Sequence, residues 1–419
     1  MTPRYSWLAA TLLLALSACS IDYDVLDPLV DDPLDNINNP LSFSDEAYAV
    51  ISQELDIAQE IMMPLPVVPA YVSQLDMAQE LTESQMRRAL LGRVLFYDTR
   101  LSATGETSCA SCHQQRFAFG DNVALSKGIA GAETDRNSFA LAAVPSFLTA
   151  PSNSQLPVVG YYSPPPPNDD PATSAAKFFW DARADNIVQQ ARETMQNPVE
   201  MGIDIDELAT RLNREPLYQT LTRKAFRTHE LSAGHIIQAI GDFMTTMSST
   251  DTRFDEFRAL ETAGATEAEL LAEFTAAEVR GGALYAANCA SCHHENMRQP
   301  RVSLANNGLD LVYDDKGNGP VSGRANRNGA FKTPFLRNAP LTAPYMHDGR
   351  FATLRQVVDH YSDGLQDHPN LHANLRNTDG TPRNLRLSED DKAALVAFLE
   401  MTADRTTPTA EHLSDPFRR

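Results

Sequence analysis

The residues Cys-Ala-Ser-Cys-His occur twice, at 109–113 and at 289–293, in a chain that has five cysteines in all. Two thiols separated by two residues can each add to a vinyl group of one porphyrin. The histidine that follows then lies where its imidazole can bind the iron. Each copy must therefore be wrapped by enough chain to bury a flat, apolar macrocycle. Paired CxxC motifs also suit zinc, but zinc gives no reason for a histidine to follow both pairs. The expectation is two covalently bound haem c groups, attached at Cys109, Cys112, Cys289 and Cys292, with His113 and His293 as iron ligands.

At 419 residues the chain exceeds the usual size of one hydrophobic core, so two domains are expected, one per motif. The fifth cysteine, Cys19, closes a segment with Arg4 near its start, an apolar run from Trp7 to Leu16, and Leu16-Ser-Ala-Cys19 at its end. This resembles a bacterial lipoprotein signal, in which residues 1–18 are removed and Cys19 carries lipid; ordinary signal cleavage nearby is the alternative. The run is too short for a comfortable membrane span. The lipoprotein reading places the protein in the periplasm and ties it to a bacterial membrane through lipid alone. One cysteine for lipid and four for haem leave none for disulfides. Lys plus Arg number 35 against 55 for Asp plus Glu, a formal charge of −20. That balance disfavours nucleic acid and favours a basic redox partner.

Residues 20–45 are rich in Asp, Asn and Pro without sustained periodicity and are expected to form a tether with little fixed structure. Before each motif stands a segment with helical spacing of apolar residues, 88–97 and 278–285, and each half ends in an amphipathic candidate, 233–247 and 389–401, the latter led by Ser388 as N-cap. Helix, CxxCH, long loops and a closing helix resemble a class I cytochrome c domain. The expected fold is thus mainly α, two such domains with long loops, each binding one covalent haem. The expected boundaries are 19–83 for an N-terminal extension, 84–255 and 256–405 for the two haem domains, and 406–419 for a C-terminal tail. The first half also carries a long insert containing Pro164–Pro167, and long loops in compact domains often carry a site.

Further segments occur in order between about residues 88 and 402: LGRVLFYDTRLS (91–102), FWDARA (179–184), NPVEM (197–201), FKTPFLRN (331–338) and TAPYMHDG (342–349). Together they resemble the bacterial di-haem cytochrome c peroxidase and MauG family. The resemblance implies that the His113 haem is peroxidatic and the His293 haem transfers electrons. It implies Gln190 and Glu200, ten residues apart, as the distal pocket, with Glu200 as acid/base for O–O cleavage and Gln190 orienting peroxide. It implies Trp180 as an electron relay between the haems, and Asn137, Thr342 and Pro344 as a calcium site of hard oxygen donors.

Two positions depart from the classical peroxidases of that family. Many of those place a distal histidine in a loop resembling Ser126-Lys-Gly-Ile-Ala130, where this chain has Ile129, and no histidine lies between His113 and His229. The first iron is therefore expected to be open to peroxide without reductive activation. At the position where classical members use a methionine as sixth ligand of the second haem, fourteen residues after His347, the chain has Tyr361. MauG-type proteins use a tyrosine there. Phenolate favours ferric iron and thioether ferrous, so the choice has chemical consequences. Met346 is the alternative ligand.

The leading expectation is an oxidoreductase that reduces hydrogen peroxide to water with electrons from a small cytochrome c or cupredoxin. The alternative is a MauG-type oxidase that uses a peroxide-derived high-valent state to oxidise a residue of a partner protein, towards which Ile129 and Tyr361 both point. A non-enzymatic di-haem electron carrier is a third reading, against which Gln190 and Glu200 argue. A homodimer is compatible with the resemblance.

Overall fold

The computed structural model describes residues 41–61, 81–143, 177–298 and 300–418. The signal-like segment 1–18, Cys19, most of the expected tether and the Pro164–Pro167 run lie outside the described residues. Helices dominate, and no described helix is long and apolar enough to cross a membrane.

In the first half, α1 (Asp45–Ile51) is capped by Ser44 and buries Ala47 and Ile51. α2 (Glu83–Tyr97) starts at a Thr82–Gln85 capping box, in which side chain and backbone satisfy each other's open donors. The first CASCH forms a single turn, α3 (Cys109–Cys112). There follow α4 (Ile187–Gln196), α5 (Ile205–Leu212), α6 (Pro216–Phe226) and the closing helix α7 (Ala233–Thr245), itself begun by a Ser232–His235 capping box. The second half runs α8 (Arg253–Thr262), α9 (Glu267–Glu273), α10 (Ala276–Asn288), then the second motif in α11 (Ala290–His293). Next come β1 (Leu304–Ala305), α12 (Asn318–Ser322), β2 (Phe331–Lys332), α13 (Leu354–Asp359), a π-helical turn at His360–Gly364, and the closing helix α14 (Glu389–Glu400). β1 and β2 pair antiparallel, Leu304 opposite Lys332 and Ala305 opposite Phe331.

The helix before each motif crosses the closing helix of its half at a glycine. A Cβ on Gly92 of α2 would lie 1.8 Å from the Ala239 carbonyl oxygen and 2.8 Å from Phe243 Cβ of α7. A Cβ on Gly281 of α10 would lie 2.1 Å from the Ala394 oxygen and 2.6 Å from Phe398 Cβ of α14. One turn on, Phe96 meets Phe243 edge-on with ring centroids 5.4 Å apart, and Tyr285 meets Phe398 at 5.6 Å. The missing side chains let backbones approach, and the aromatic pairs lock the crossing. The two halves thus repeat one crossing, each with its own apolar core.

Two segments read as appendages are packed against the first half. Leu41, Ser42 and Phe43 are buried, although the polar composition of 20–45 predicts a loose tether; Phe43 and Leu41 are apolar anchors at its end that averaging hides. The residues after α14 return to the same face. Gln115 Nε2 donates to Thr407 O at 3.0 Å and Ala410 O at 2.8 Å, Tyr97 OH donates to Leu413 O at 2.7 Å, and Arg93 Nε donates to Ser414 O at 2.7 Å. Leu413 supplies the buried contact that holds this strap. Polar periodicity alone gives such a strap no signal.

Candidate haem sites and the seam between the halves

At the first motif, the turn 114–120 is closed by a Gln114–Gly120 bridge and uses left-handed backbone at Ala118 and Phe119, φ +53° and +59°. This turns the Phe119 carbonyl back so that it accepts from His113 Nδ1 at 3.0 Å. At the second motif the Pro334 carbonyl, from the FKTPFLRN segment, accepts from His293 Nδ1, also at 3.0 Å. Each bond fixes the tautomer and leaves Nε2 for a metal. Burial lowers both imidazole pKa values, His293 to about 4, so both rings are neutral at pH 7 and able to ligate. Burial pushes the thiols up, Cys109 and Cys289 to about 12 and Cys112 to about 11. Zinc needs thiolates, and among the described residues no three His, Cys, Asp or Glu side chains gather as a metal set. The donor set fits two haems attached through sulfur.

Glu200 sits in the turn after α4. Asn197 Nδ2 donates to its Oε1 at 2.7 Å. Burial raises its pKa, with bonds from Asn197 and Thr194 and the charge of Arg183 pulling the other way. A Cβ on Gly128 would lie 3.0 Å from Glu200 Cα, and the carbonyl of the adjoining Lys127 lies 3.9 Å from Cys112 Sγ, so the Glu200 turn lies in the neighbourhood of the first motif. Gln190 is half-buried on α4, one turn before Thr194 on the same helical face, which puts it on the Glu200 side. Ile129 N donates to Glu200 O at 3.2 Å, and a Cβ on Gly202 would lie 2.8 Å from Ile129 Cδ1. The loop that holds Ile129 is therefore the immediate neighbour of Glu200.

The second motif opens into a largely apolar cavity lined by Cys289, Cys292, His293, Leu354, Val358 and Leu395, with Tyr361 and Met346 on its wall. Tyr361 belongs to the π turn, a helix irregularity that recurs at functional sites. Burial raises its phenol to about 12. Asn307 Nδ2 lies 3.4 Å from Tyr361 OH and 3.5 Å from Met346 Sδ, so both candidate ligands converge on one amide.

Trp180 stands at the seam. Its Nε1 donates to Asn137 O at 2.8 Å, its ring stacks on Phe139 at 4.0 Å, and its carbonyl accepts from Lys332 N of the second half at 2.7 Å. The His347 ring lies 6.5 Å away. Beside it, Arg136 bonds Asp181 at 2.6 Å and Asp315 at 2.7 and 2.9 Å, and Asn318 Nδ2 donates to Asp181 O at 2.7 Å. This network ties Trp180 to both halves. Sequence reading named Trp180 but missed Arg136, Asp315, Phe139 and Asn307; Arg136 adjoins Asn137 in sequence, whereas Asn307 carries no motif.

Asn137, Thr342 and Pro344 line one end of the same cavity. Asn137 Nδ2 donates to Val123 O and Ala124 O at 3.0 and 3.2 Å, and its backbone N to His347 O at 2.7 Å. These bonds leave its Oδ1 outside their pattern. The set offers neutral oxygen donors and no carboxylate, which fits calcium at the weak end of its range.

Comparison with known proteins matches the two halves separately. Residues 86–263 match the family model for di-haem cytochrome c peroxidase, and residues 278–403 match that for cytochrome c. A methylamine utilization protein MauG of Methylorubrum extorquens is 33% identical over 75% of this chain and 77% of that protein. A cytochrome c551 peroxidase of Nitrosomonas europaea is 30% identical over 65% and 71% of the two chains. Among solved structures, a MauG-like protein associated with microbial copper homeostasis aligns with TM-score 0.61 and 28% identity, over 86% of this chain and 98% of that one.

Proposed function

Because the chain belongs to the di-haem cytochrome c peroxidase and MauG family, and is therefore an oxidoreductase with two haem c groups, we propose that it is a periplasmic, lipid-anchored peroxidase. It reduces hydrogen peroxide to water with electrons from a small cytochrome c or cupredoxin. The observation that carries this reading is the half-buried Glu200 carboxylate, held by Asn197 in the loop that packs against the first motif.

When bound, the haems supply an iron that takes peroxide and a second iron that stores an electron. Reduction of one peroxide consumes two electrons and two protons and yields two waters. Glu200 takes the proton from the near peroxide oxygen and returns it to the far one, the departing water; its raised pKa suits a group that must both accept and release it. Asn197 fixes Oε1, and Gln190 orients peroxide from the same face of α4. His113 and His293 hold the irons through Nε2, while Trp180 carries electrons across the seam. Asn137, Thr342 and Pro344 hold calcium between the halves, and Cys19 carries the lipid.

The second reading, a MauG-type oxidase acting on a residue of a partner protein, is favoured by Ile129 and Tyr361. Stopped-flow addition of peroxide to the resting ferric protein separates the two. Rapid return to the ferric spectrum with a reduced donor protein, and peroxide consumed in proportion to donor, supports the peroxidase. A long-lived two-electron-oxidised protein, unaffected by such donors, supports the oxidase.

A further inference from the structure

Asn307 belongs to no motif, yet both of its chain neighbours are held in place. On one side Asn306 Oδ1 accepts from Gly308 N at 2.9 Å and from Tyr313 OH at 3.2 Å, while its Nδ2 donates to Asn328 O at 3.2 Å. On the other, Gly308 has φ +67°, its carbonyl accepts from Gln366 N at 2.9 Å, and a Cβ there would lie 3.0 Å from Gln366 O. The Asn307 side chain therefore projects from a fixed point.

From that point it reaches the two rivals for the sixth position of the second haem. The main-chain carbonyl of Asn307 accepts from His360 Nε2 at 3.0 Å, which anchors the π turn. The side-chain Nδ2 faces Tyr361 OH at 3.4 Å and Met346 Sδ at 3.5 Å. An amide nitrogen carries two hydrogens, so it can address both atoms at once. Both contacts are long, so they bias a choice more than they lock it. A ligating phenolate oxygen is a strong acceptor and a thioether sulfur a weak one. The same donor therefore favours oxygen at the iron and occupies the sulfur that would compete.

We propose that Asn307 is the positioning residue that selects the sixth ligand of the second haem, presenting the Tyr361 oxygen and holding the Met346 sulfur back. The proposal rests on the reading of Tyr361 as that ligand. Because the bond to His360 comes from the main chain, changing the side chain leaves the anchor of the π turn in place.

The test uses the full-length holoprotein with both haems attached. Wild type, Asn307→Leu, which matches the side chain in size without a donor, and Asn307→Ser, which keeps a donor, are compared by ferric electron paramagnetic resonance, near-infrared magnetic circular dichroism and potentiometry. Wild type is expected to show a His/Tyr second haem. Asn307→Leu is expected to show a His/Met signature and a raised second-haem potential, since thioether favours ferrous iron. Asn307→Ser should keep more of the His/Tyr signal, and adding Met346→Leu to Asn307→Leu should abolish the new signature. First-haem signals, unchanged throughout, report that the fold is intact. A His/Tyr spectrum and potential unaltered in Asn307→Leu overturn the selection while leaving Tyr361 as ligand. A His/Met wild type overturns the Tyr361 reading and the selection with it.

Discussion

The two CASCH turns are chemically the same, and each histidine is held by a backbone carbonyl at 3.0 Å. What faces them is not the same. The first motif has the half-buried Glu200 in a neighbouring turn and Ile129 against that residue. The second has an apolar cavity closed by Tyr361, Met346 and the amide of Asn307. Identical attachment thus leaves the task of each iron to residues 14 to 87 positions beyond its motif, carried on loops, on α4 and on the π turn.

The comparison is broken most sharply at the attachment points. Replacing Cys109 and Cys112 together by Ser should reduce covalent haem from two per chain to one, measured by haem absorbance per mole of protein and by haem stain. Loss of both haems would show that the halves do not acquire them independently. Next in size, Glu200→Gln should lower the rate of peroxide turnover by about 10²–10⁴-fold without altering second-haem spectra. The sign of its pH dependence follows from burial. The base form does the work, and a raised pKa means that wild-type activity falls, as pH is lowered, earlier than an ordinary Glu would allow. Glu200→Gln should lose that acid limb.

The repeated helix crossing provides a smaller effect that should be alike in both halves. Gly92→Ala and Gly281→Ala each drive a methyl group into a carbonyl of the closing helix, costing about 1–3 kcal/mol and outweighing the roughly 0.5–1 kcal/mol gained in helix propensity. Calorimetry of the holoprotein reads the shift, and equal losses would mark the crossings as equivalent. Smallest in stability is Trp180→Phe, which keeps an aromatic ring against Phe139 but strands the Asn137 carbonyl, at about 1 kcal/mol. Its kinetic signature should be slowed electron transfer between the haems, with peroxide binding at the first haem unchanged.

Much of this was legible in the chain. The helices before the motifs announce themselves through apolar spacing, and the last closing helix through Ser388 as its N-cap as well. Glu200, Gln190, Trp180 and Tyr361 are singled out as candidates through ordered motifs and not through their own chemistry, since a lone Glu or Trp has no distinctive local signal. Arg136 and Asp315 escaped because they are 179 residues apart and meet across the seam. Asn307 escaped because its meaning lies in Met346 and Tyr361, 39 and 54 residues away. The burial of Leu41 and Phe43 was hidden by acidic neighbours, a reminder that a few apolar anchors outweigh average composition.

The strap that follows α14 bears on assembly. Gln115, two residues beyond His113, donates to Thr407 and Ala410, and Leu413 and Ser414 accept from Tyr97 and Arg93 of the helix before the first motif. Residues that follow both motifs thus brace the turn and the helix on either side of the earlier CASCH. The frame of the first site therefore closes only when chain beyond the second motif has folded back onto it.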